Sequence, residues 1–459
     1  MKTETCKLLI IGAGPGGYVC GIRAGQLGVD TIVVEAEKPG GTCLNVGCIP
    51  SKALIHAADE FHKATAFSGD NQLGISVAKP AIDLGKTIDW KDGVVKRLTG
   101  GVSGLLKKAK TRTVQGKATI IDGKTVDVET ADGPVRIRTE HLVVATGSVP
   151  FELPFLPFGD KVISSTDALA LRQVPKTLAV VGGGYIGLEI GTAMAKLGAK
   201  VTVVEAAERI LPQYDVELTA PVSARIAKLG ITVHTSAKAQ GLGKGGKSLA
   251  VETADGVIDI PADLILVTVG RKPVTQGFGL EALGLTMNGA HVAIDERCAT
   301  SMRGVYAIGD VTGDPMLAHR AMAQGSMVAE IVAGEPKSWD KRAIPAVCFT
   351  DPEIVVVGKL PSEVEGAKSS VFPFAANGRS MTMERSDGFV RIVSDPSNDL
   401  VLGIQAVGAG VSETAGQFAL AIEMAATLTD IADTIHAHPT LGETVQEVAL
   451  KGLGRALHI

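Results

Sequence analysis

Lys7-Leu8-Leu9-Ile10-Ile11-Gly12-Ala13-Gly14-Pro15-Gly16-Gly17 and, much later, Thr177-Leu178-Ala179-Val180-Val181-Gly182-Gly183-Gly184-Tyr185-Ile186-Gly187 decide the fold of this chain. Each is a short apolar run ending on Gly-x-Gly-x-x-Gly. Each continues into a helix-like segment that closes at Leu27-Gly28 or Leu197-Gly198, then into a second apolar run ending at Glu35 or Glu205. The first glycine and the closing glutamate are 23 residues apart in both copies. One such glycine pattern is weak evidence. Two copies, each in a strand–turn–helix–strand setting with an acidic residue at the same offset, define a repeated dinucleotide-binding unit. The spacing has a physical basis. Gly12 and Gly182 permit the tight turn, Gly14 and Gly184 let the backbone approach a pyrophosphate, and Gly17 and Gly187 let helix and strand pack closely. The helix N-terminus offers free N–H groups and the positive end of its dipole to phosphates. A carboxylate at the end of the second strand accepts hydrogen bonds from ribose hydroxyls.

Outward from these units, further buried-type strands stop at glycines. His141–Ala145 meets Thr146-Gly147, Leu264–Val269 meets Gly270-Arg271, and Val305–Ile308 meets Gly309-Asp310. Parallel strands deliver their C-terminal ends to a ligand in this way. Thr125–Arg138, containing Asp132-Gly133, and Ser248–Ile260, containing Asp255-Gly256, read as antiparallel hairpins. Each unit therefore carries a small meander before its last strand. From Lys341 onward the signals change to alternating runs such as Gly388–Val393 and Val401–Val407, followed by two helical stretches. The expected fold is α/β: two Rossmann-like dinucleotide-binding domains, a central region and a C-terminal α+β interface domain. The boundaries fall at 1–147, 148–270, 271–340 and 341–459. No low-complexity linker separates them, so tight packing is expected.

Composition narrows the function classes. The chain has 459 residues, enough for two to four domains. An apolar share of 45% and a charged share of 20% exclude a long disordered chain. Glycine, at 55 residues, exceeds the usual share of roughly 7% without a collagen period, which directs attention to phosphate-binding turns. A net charge of −4 gives no global case for nucleic acid or an anionic membrane. The basic run Lys107, Lys108, Lys110 reads as a solvated helix face. No stretch reads as a membrane span or a signal peptide, and the expectation is a cytoplasmic protein. Six cysteines are too few for a secreted disulfide scaffold.

Two of those cysteines stand together. Gly41-Thr42-Cys43-Leu44-Asn45-Val46-Gly47-Cys48-Ile49-Pro50-Ser51-Lys52 follows directly on the first unit. In an ideal helix such a pair lies about 140° apart and more than 7 Å along the axis. A disulfide needs Cα atoms within about 7 Å. Gly47 and Pro50 suggest an irregular turn that could bring the thiols together. Two unrelated buried thiols are the bland alternative. A metal site lacks a second ligand pair nearby. In a reducing compartment such a pair is more often catalytic than structural. Cys6, Cys20, Cys298 and Cys348 are isolated and read as inert. Near the other end stands His436-Ala437-His438-Pro439-Thr440-Leu441-Gly442-Glu443. A histidine before proline is held extended, and a glutamate five residues on could fix its tautomer and raise its basicity. His438 is thus a candidate base for a thiol, against the plain reading of a surface-loop histidine. His436 reads as structural.

The dithiol segment, both glycine fingerprints, Ala145-Thr146-Gly147, Gly309-Asp310 and the His436–Glu443 segment resemble the pyridine nucleotide–disulfide oxidoreductases, and within them the branch that oxidises dihydrolipoamide. The resemblance covers nearly the whole chain. It implies FAD on Gly12, Gly14, Gly17 and Glu35, with Thr42, Gly116, Ala118, Thr146, Gly147, Asp310 and the Ala318 amide also in contact. Lys52 would lie near the flavin N5, paired with Glu189. It implies NAD on Gly182, Gly184, Gly187 and Glu205, completed by Gly270 and Ala239. Cys43 and Cys48 would be the redox-active pair, His438 the base and Glu443 its partner, with no metal. The implied reaction is oxidation of protein-bound dihydrolipoamide with reduction of NAD+. The implied partners are the lipoyl domain of a 2-oxo-acid dehydrogenase acyltransferase, or a glycine-cleavage lipoyl protein, and a second copy of the chain in a homodimer, with neither nucleic acid nor membrane. Whether the base serves its own chain or the other is open. Two rivals are an NADPH-linked disulfide reductase of the glutathione type, against which Glu205 would repel a 2′-phosphate, and a non-catalytic flavoprotein, which would not need the dithiol. The C-terminal cysteine pair of mercuric reductases is missing, since no cysteine follows Cys348. One departure is Val274, where the family often has asparagine after Gly-Arg-x-Pro.

Overall fold

A computed structural model describes residues 1–459. The two glycine units form two separate parallel sheets. In the first, the order is Arg112–Gln115, Thr31–Glu35, Lys2–Ile11, Gly133–Val144. In the second it is Thr232–His234, Lys200–Val204, Thr177–Val181, Leu264–Val267, Val162–Ile163, all parallel. Their central strands are buried on both faces, as in sheets covered by helices on both sides, while the edge strands Arg112–Gln115 and Thr232–His234 stay largely exposed or half-buried.

The two units treat their meanders differently. In the first, the meander does not end before the last strand. Gly133–Val144 is one 12-residue strand. Its first half pairs antiparallel with Thr125–Thr130, and the same edge then pairs parallel with Val305–Ala307. In the second, Gly256–Pro261 and Leu264–Val267 stay separate strands in separate sheets. Pro261 has no N–H to carry a ladder onward, which ends the strand there.

Residues 271–340 rejoin the first sheet. Val305–Ala307 adds a strand to it, and helix Ala318–Ala333 packs on helix Pro15–Gln26, with Met327, Val328 and Ile331 in one core with Cys20 and Ala24. Phe278, Leu280 and Leu283 fill a second core against Leu9, Ile11 and Leu142.

The C-terminal domain is a five-stranded antiparallel sheet in the order Ala346–Cys348, Glu353–Gly358, Val401–Gly408, Phe389–Ser394, Lys368–Pro373. Three helices follow it where the sequence suggested two: Ala415–Glu423, Leu428–Asp433 and Glu443–Gly452. Ala425, at φ 52°, ends the first, and the Thr427 hydroxyl with the Asp430 carboxylate caps the second. The expected alternation of exposed and buried residues is also missing, because this sheet is covered on both faces. Phe372, Val390 and Ile404 meet the three helices. Ile354 and Val407 enter the core of the second unit, which also takes in Leu54 and Ala58 from the dithiol helix. No helix is long and apolar enough to cross a membrane.

Arg391 sits in the middle of that covered face, 2% exposed. Its guanidinium donates to Gln405 Oε1 at 2.7 Å, to Glu217 Oε2 at 2.8 Å and to the Asp215 carboxylate. Asp215 also caps helix Val216–Lys228 of the second unit. Removing one partner of a buried pair strands the others. Arg391→Ala is expected to lower stability by about 3 kcal/mol, read as a drop in the denaturant midpoint. A midpoint within experimental error of the parent would show that this contact does not hold the domains together.

Candidate active site

The glycines of the two fingerprints meet their neighbours as the spacing requires. A Cβ on Gly12 would lie 2.4 Å from Ala145 O, and one on Gly182 2.6 Å from Thr268 O. A Cβ on Gly17 would lie 1.9 Å from Gly12 O, and one on Gly187 2.3 Å from Gly182 O. The middle glycines are different. Gly184 has nothing within 4 Å, and Gly14 has only Gly41 Cα at 3.9 Å. They face open space in front of a helix N-terminus, where a pyrophosphate fits and a side chain would intrude.

The helices behind them are left unfinished. Pro15–Gln26, Tyr185–Lys196 and Ala318–Ala333 all lack a side-chain cap and have no acidic residue in the first turn. Elsewhere Ser164, Asp215 and Thr427 cap their helices. An uncapped N-terminus keeps its orphan N–H groups for an anionic or carbonyl acceptor. The residues present therefore suit two dinucleotides.

Glu35 and Glu205 are superimposable in their bonding. Glu35 accepts from Ala13 N at 2.7 Å and Glu37 N at 2.8 Å. Glu205 accepts from Gly183 N at 2.6 Å and Ala207 N at 2.7 Å. Each oxygen keeps a lone pair for a ribose hydroxyl. Gly116 N donates to Glu35 O at 2.9 Å, at the junction of strand Arg112–Gln115 with strand Lys117–Asp122, which holds Ala118. Ala239 lies in strand Lys238–Leu242, in the three-stranded meander, and Gly270 (φ 131°) follows the last parallel strand of the second unit.

Around the first unit, Thr146 Oγ1 donates to Val274 O at 2.7 Å, and Val274 N donates to Gly147 O at 2.9 Å. The turn at Val274 is thus made by its backbone, and the side chain that departs from the family pattern takes no part in these bonds. Asp310 accepts from Ser148 Oγ at 2.5 Å. Arg271 donates to Ser148 Oγ and Ser148 O, both at 2.7 Å, and to Thr42 Oγ1 at 3.4 Å. Gln324 Oε1 accepts from Gly309 N at 2.8 Å. Sequence reasoning noted Arg271 only as a motif letter and passed over Ser148, Gln324 and Phe349. Ser148, adjoining Thr146-Gly147, was the only one with a local signal.

The dithiol spans a break between two helices. Gly41–Val46 carries Cys43, Gly47 at φ −137° and ψ −109° breaks the helix, and Cys48–Phe67 begins at the second thiol. The break sets the two free thiols at the junction of the two helices. The neighbouring Cys43 thiol, with the Lys52 ammonium adding to it, lowers the Cys48 thiol to about 7 against burial. Cys43 is pushed up by Cys48 and by burial. Cys48 is the more exposed of the two. Accessibility would choose Cys48 for attack, whereas the electrostatics make it the sulfur that holds charge. Cys6, Cys20, Cys298 and Cys348 are buried, and burial raises each of their thiols.

Lys52 projects from the dithiol helix onto Glu189, Nζ to Oε2 2.8 Å. Glu189 is 4% exposed, and its other oxygen accepts from Phe349 N at 2.9 Å. The Phe349 ring lies 4.3 Å from the ammonium.

His438 is found elsewhere, on the stretch before helix Glu443–Gly452, which packs on Leu428–Asp433 and on the sheet strands Lys368–Pro373 and Phe389–Ser394. The dithiol helices pack on Leu84–Lys108 and Tyr185–Lys196 instead. His438 Nδ1 and Glu443 Oε1 are 2.8 Å apart, and Glu443 Oε2 accepts from Thr440 N at 2.6 Å. These bonds hold the Glu443 carboxyl below its ordinary value against the opposing effect of desolvation. The imidazole is 80% exposed, so Nε2 is free to meet something outside the chain. His436 is spent locally, on Gln417 and Thr434 O. No group of three or more His, Cys, Asp or Glu side chains is arranged for a metal.

Two glycine cradles, a dithiol beside one of them and an oriented imidazole on a third domain define a two-dinucleotide disulfide oxidoreductase. The family model of pyridine nucleotide-disulphide oxidoreductases matches residues 6–325, and that of their dimerisation domain matches 344–449. The chain belongs to this family. It is 57% identical to a dihydrolipoyl dehydrogenase of Pseudomonas aeruginosa, over 99% of this chain and 98% of that one. It is 44% identical to the dihydrolipoyl dehydrogenase of Geobacillus stearothermophilus, over 100% and 98%. Among solved structures, LpdA of Mycobacterium tuberculosis matches with a TM-score of 0.89 at 26% identity, covering 97% of this chain and 99% of that one.

The thiol chemistry gives a direct expectation. In the reduced protein, thiolate absorbance at 240 nm should appear with a midpoint of about 7. Lys52→Met removes the nearby positive charge, which disfavours the thiolate, so the midpoint should rise. A midpoint that stays in place would show that Lys52 does not act on Cys48.

Proposed function

We propose that the chain oxidises the dihydrolipoyl group of a lipoyl domain and reduces NAD+, with FAD as resident cofactor. The single observation that carries this is the Cys43–Cys48 dithiol at the Gly47 helix break, set beside two dinucleotide cradles. Similarity to the dihydrolipoyl dehydrogenases selects the substrate. Gly12, Gly14, Gly17 and Glu35, with Gly116, Ala118, Thr146, Gly147, Asp310 and the Ala318 amide, would hold FAD. Gly182, Gly184, Gly187 and Glu205, with Gly270 and Ala239, would hold NAD.

His438 Nε2 removes a proton from one substrate thiol, and Glu443 stabilises the imidazolium that forms. The thiolate attacks Cys43 Sγ of the Cys43–Cys48 disulfide. The S–S bond breaks, Cys48 leaves as thiolate, and substrate and Cys43 are joined. The second substrate thiol then displaces Cys43, closing the lipoyl disulfide. FAD, when bound, would supply the two-electron chemistry that links the dithiol to NAD+. Lys52 holds positive charge beside the Cys48 thiolate, and Glu189 keeps Lys52 in place. The exposure of His438, the match to a dimerisation domain and the exposed Leu420, Met424 and Ile435 of the same domain support a homodimer in which the base serves the partner's dithiol. The lipoyl domain is the proposed macromolecular partner.

Two measurements test this reading. His438→Gln should slow the dihydrolipoamide half-reaction by about 10²–10⁴, the usual size of a general-base contribution. Glu443→Gln should act less strongly, and His436→Gln far less. Reduction of the flavin by NADH should hardly change, and equal damage in both histidine variants would refute the assignment. For the second cradle, Glu205 should favour NAD+ over NADP+ by two or more orders of magnitude in kcat/KM, because a carboxylate beside a 2′-phosphate costs about 3 kcal/mol. Near-equal values would point instead to the NADPH-linked alternative.

A further inference from the structure

Cys48 and Lys52 stand four residues apart on one helix, so both side chains lie on one face. Helical side chains lean toward the N-terminus, which is where Cys48 sits. What keeps the Lys52 ammonium there is a separate question. A lysine has a long flexible stem, and this side chain is 34% exposed, so water competes for its head group. Of its three N–H donors, one goes to Glu189 Oε2 at 2.8 Å. The second contact is the Phe349 ring, whose centroid is 4.3 Å from Nζ. An aromatic face carries negative charge density and attracts a cation within about 6 Å. Phe349 is itself firmly held. It follows strand Ala346–Cys348, and its N–H donates to the other oxygen of Glu189 at 2.9 Å. Two residues on, the buried Asp351 binds Lys196 Nζ at 2.7 Å, Arg225 Nε at 3.1 Å and Arg385 Nη2 at 2.5 Å. Lys196 closes the helix that carries Glu189, and its Nζ also binds Asp59 of the dithiol helix at 2.5 Å. The segment that presents the ring is thus tied to both helices that carry the pair.

We propose that Phe349 is a positioning residue for the reaction: the face of its ring holds the Lys52 ammonium beside Cys48, while its backbone N–H holds Glu189, the ammonium's other partner. The ring touches the ammonium and acts on Cys48 only through it. The inference rests on the proposed function in one respect: Cys48 must be the sulfur that works as a thiolate. Cys43 and Lys52 favour that thiolate, and Glu189 opposes it. Tyr18 and Tyr185 also face the dithiol, and burial raises both phenols, which keeps them neutral. The balance at Cys48 therefore depends on the ammonium staying in place. With the attraction of the ring weakened, one bond to Glu189 remains, and the exposed head group spends more time in water. Glu189 does not follow it, because Phe349 N–H still holds the carboxylate. The thiolate then loses its positive neighbour and keeps its negative one. A plain packing role makes a different demand. Any apolar side chain of similar size would then serve as well as phenylalanine, because dispersion and burial do not depend on the charge density of the ring face.

The test uses the intact FAD-loaded protein with phenylalanines carrying one, two and three ring fluorines at position 349. Each fluorine withdraws charge from the ring face and hardly changes its shape. The thiolate midpoint of the reduced dithiol should rise step by step, by up to about 0.5 pH unit over the series. The dihydrolipoamide half-reaction should slow in the same order, by about 2-fold at most, because a thiol of higher pKa leaves more slowly. Phe349→Tyr keeps the π face and should stay at the parental midpoint. Phe349→Leu keeps apolar bulk without that face and should match the trifluorinated protein. In a Lys52→Met background the same fluorines should leave the midpoint unmoved. A flat midpoint across the fluorinated series overturns the proposal, and so does a series that shifts equally without Lys52. A KM for NAD+ that changes while the midpoint holds also overturns it, since the ring would then face the nucleotide. If Phe349→Leu fails to fold, the fluorinated series still decides, because it conserves shape. A parent with no lipoamide turnover would refute the proposed function instead, and the midpoints, which need no substrate, would still decide the role of the ring.

Discussion

A single carboxylate joins the three parts of this molecule. Glu189 belongs to the second dinucleotide unit, holds Lys52 of the first, and receives the Phe349 N–H of the C-terminal domain. A buried carboxylate is costly unless paired and hydrogen-bonded, so each domain supplies what the other two need. The pair also keeps positive charge beside Cys48, and that charge helps to hold the thiol near neutrality. The geometry of the reaction centre thus follows from how the domains meet, and the ion clusters at Asp351 and Arg391 keep them met.

The duplicated units show how a binding site is built by leaving local structure incomplete. Ser164, Asp215 and Thr427 cap their own helices, whereas the three helices that face the dinucleotide sites have no side-chain cap. Their first N–H groups lack intrahelical partners by geometry. A cap would satisfy them at the expense of ligand binding. Glu35 and Glu205 are placed by two backbone N–H groups each, so the carboxylate that reads the ribose is rigid before any ligand arrives. The same economy places the oriented imidazole: Glu443 is held by Thr440 N and in turn holds His438.

Several features escaped sequence reading for identifiable reasons. Arg391 stands in a strand where a charge would ordinarily mark a solvent face, yet both faces are covered and its partners come from 174 and 176 residues away. Phe349 acts through its backbone N–H and the face of its ring, and neither leaves a residue pattern. The continuity of Gly133–Val144 was hidden because a hairpin strand and a parallel strand share the same composition, and only the absence of a proline between them lets one run into the other.

The sequence by itself determined the two glycine cradles, their glutamates, the dithiol and the His438–Glu443 pair, because each is a short-range constraint. A tight turn, a close approach or a histidine held by a nearby glutamate is written within a few residues. Tertiary structure alone decided that Lys52, Glu189 and Phe349 meet. It also set the imidazole on a different surface from the dithiol of its own chain. Those outcomes depend on groups more than a hundred residues apart, and their energies come from burial and charge, which no local spacing encodes.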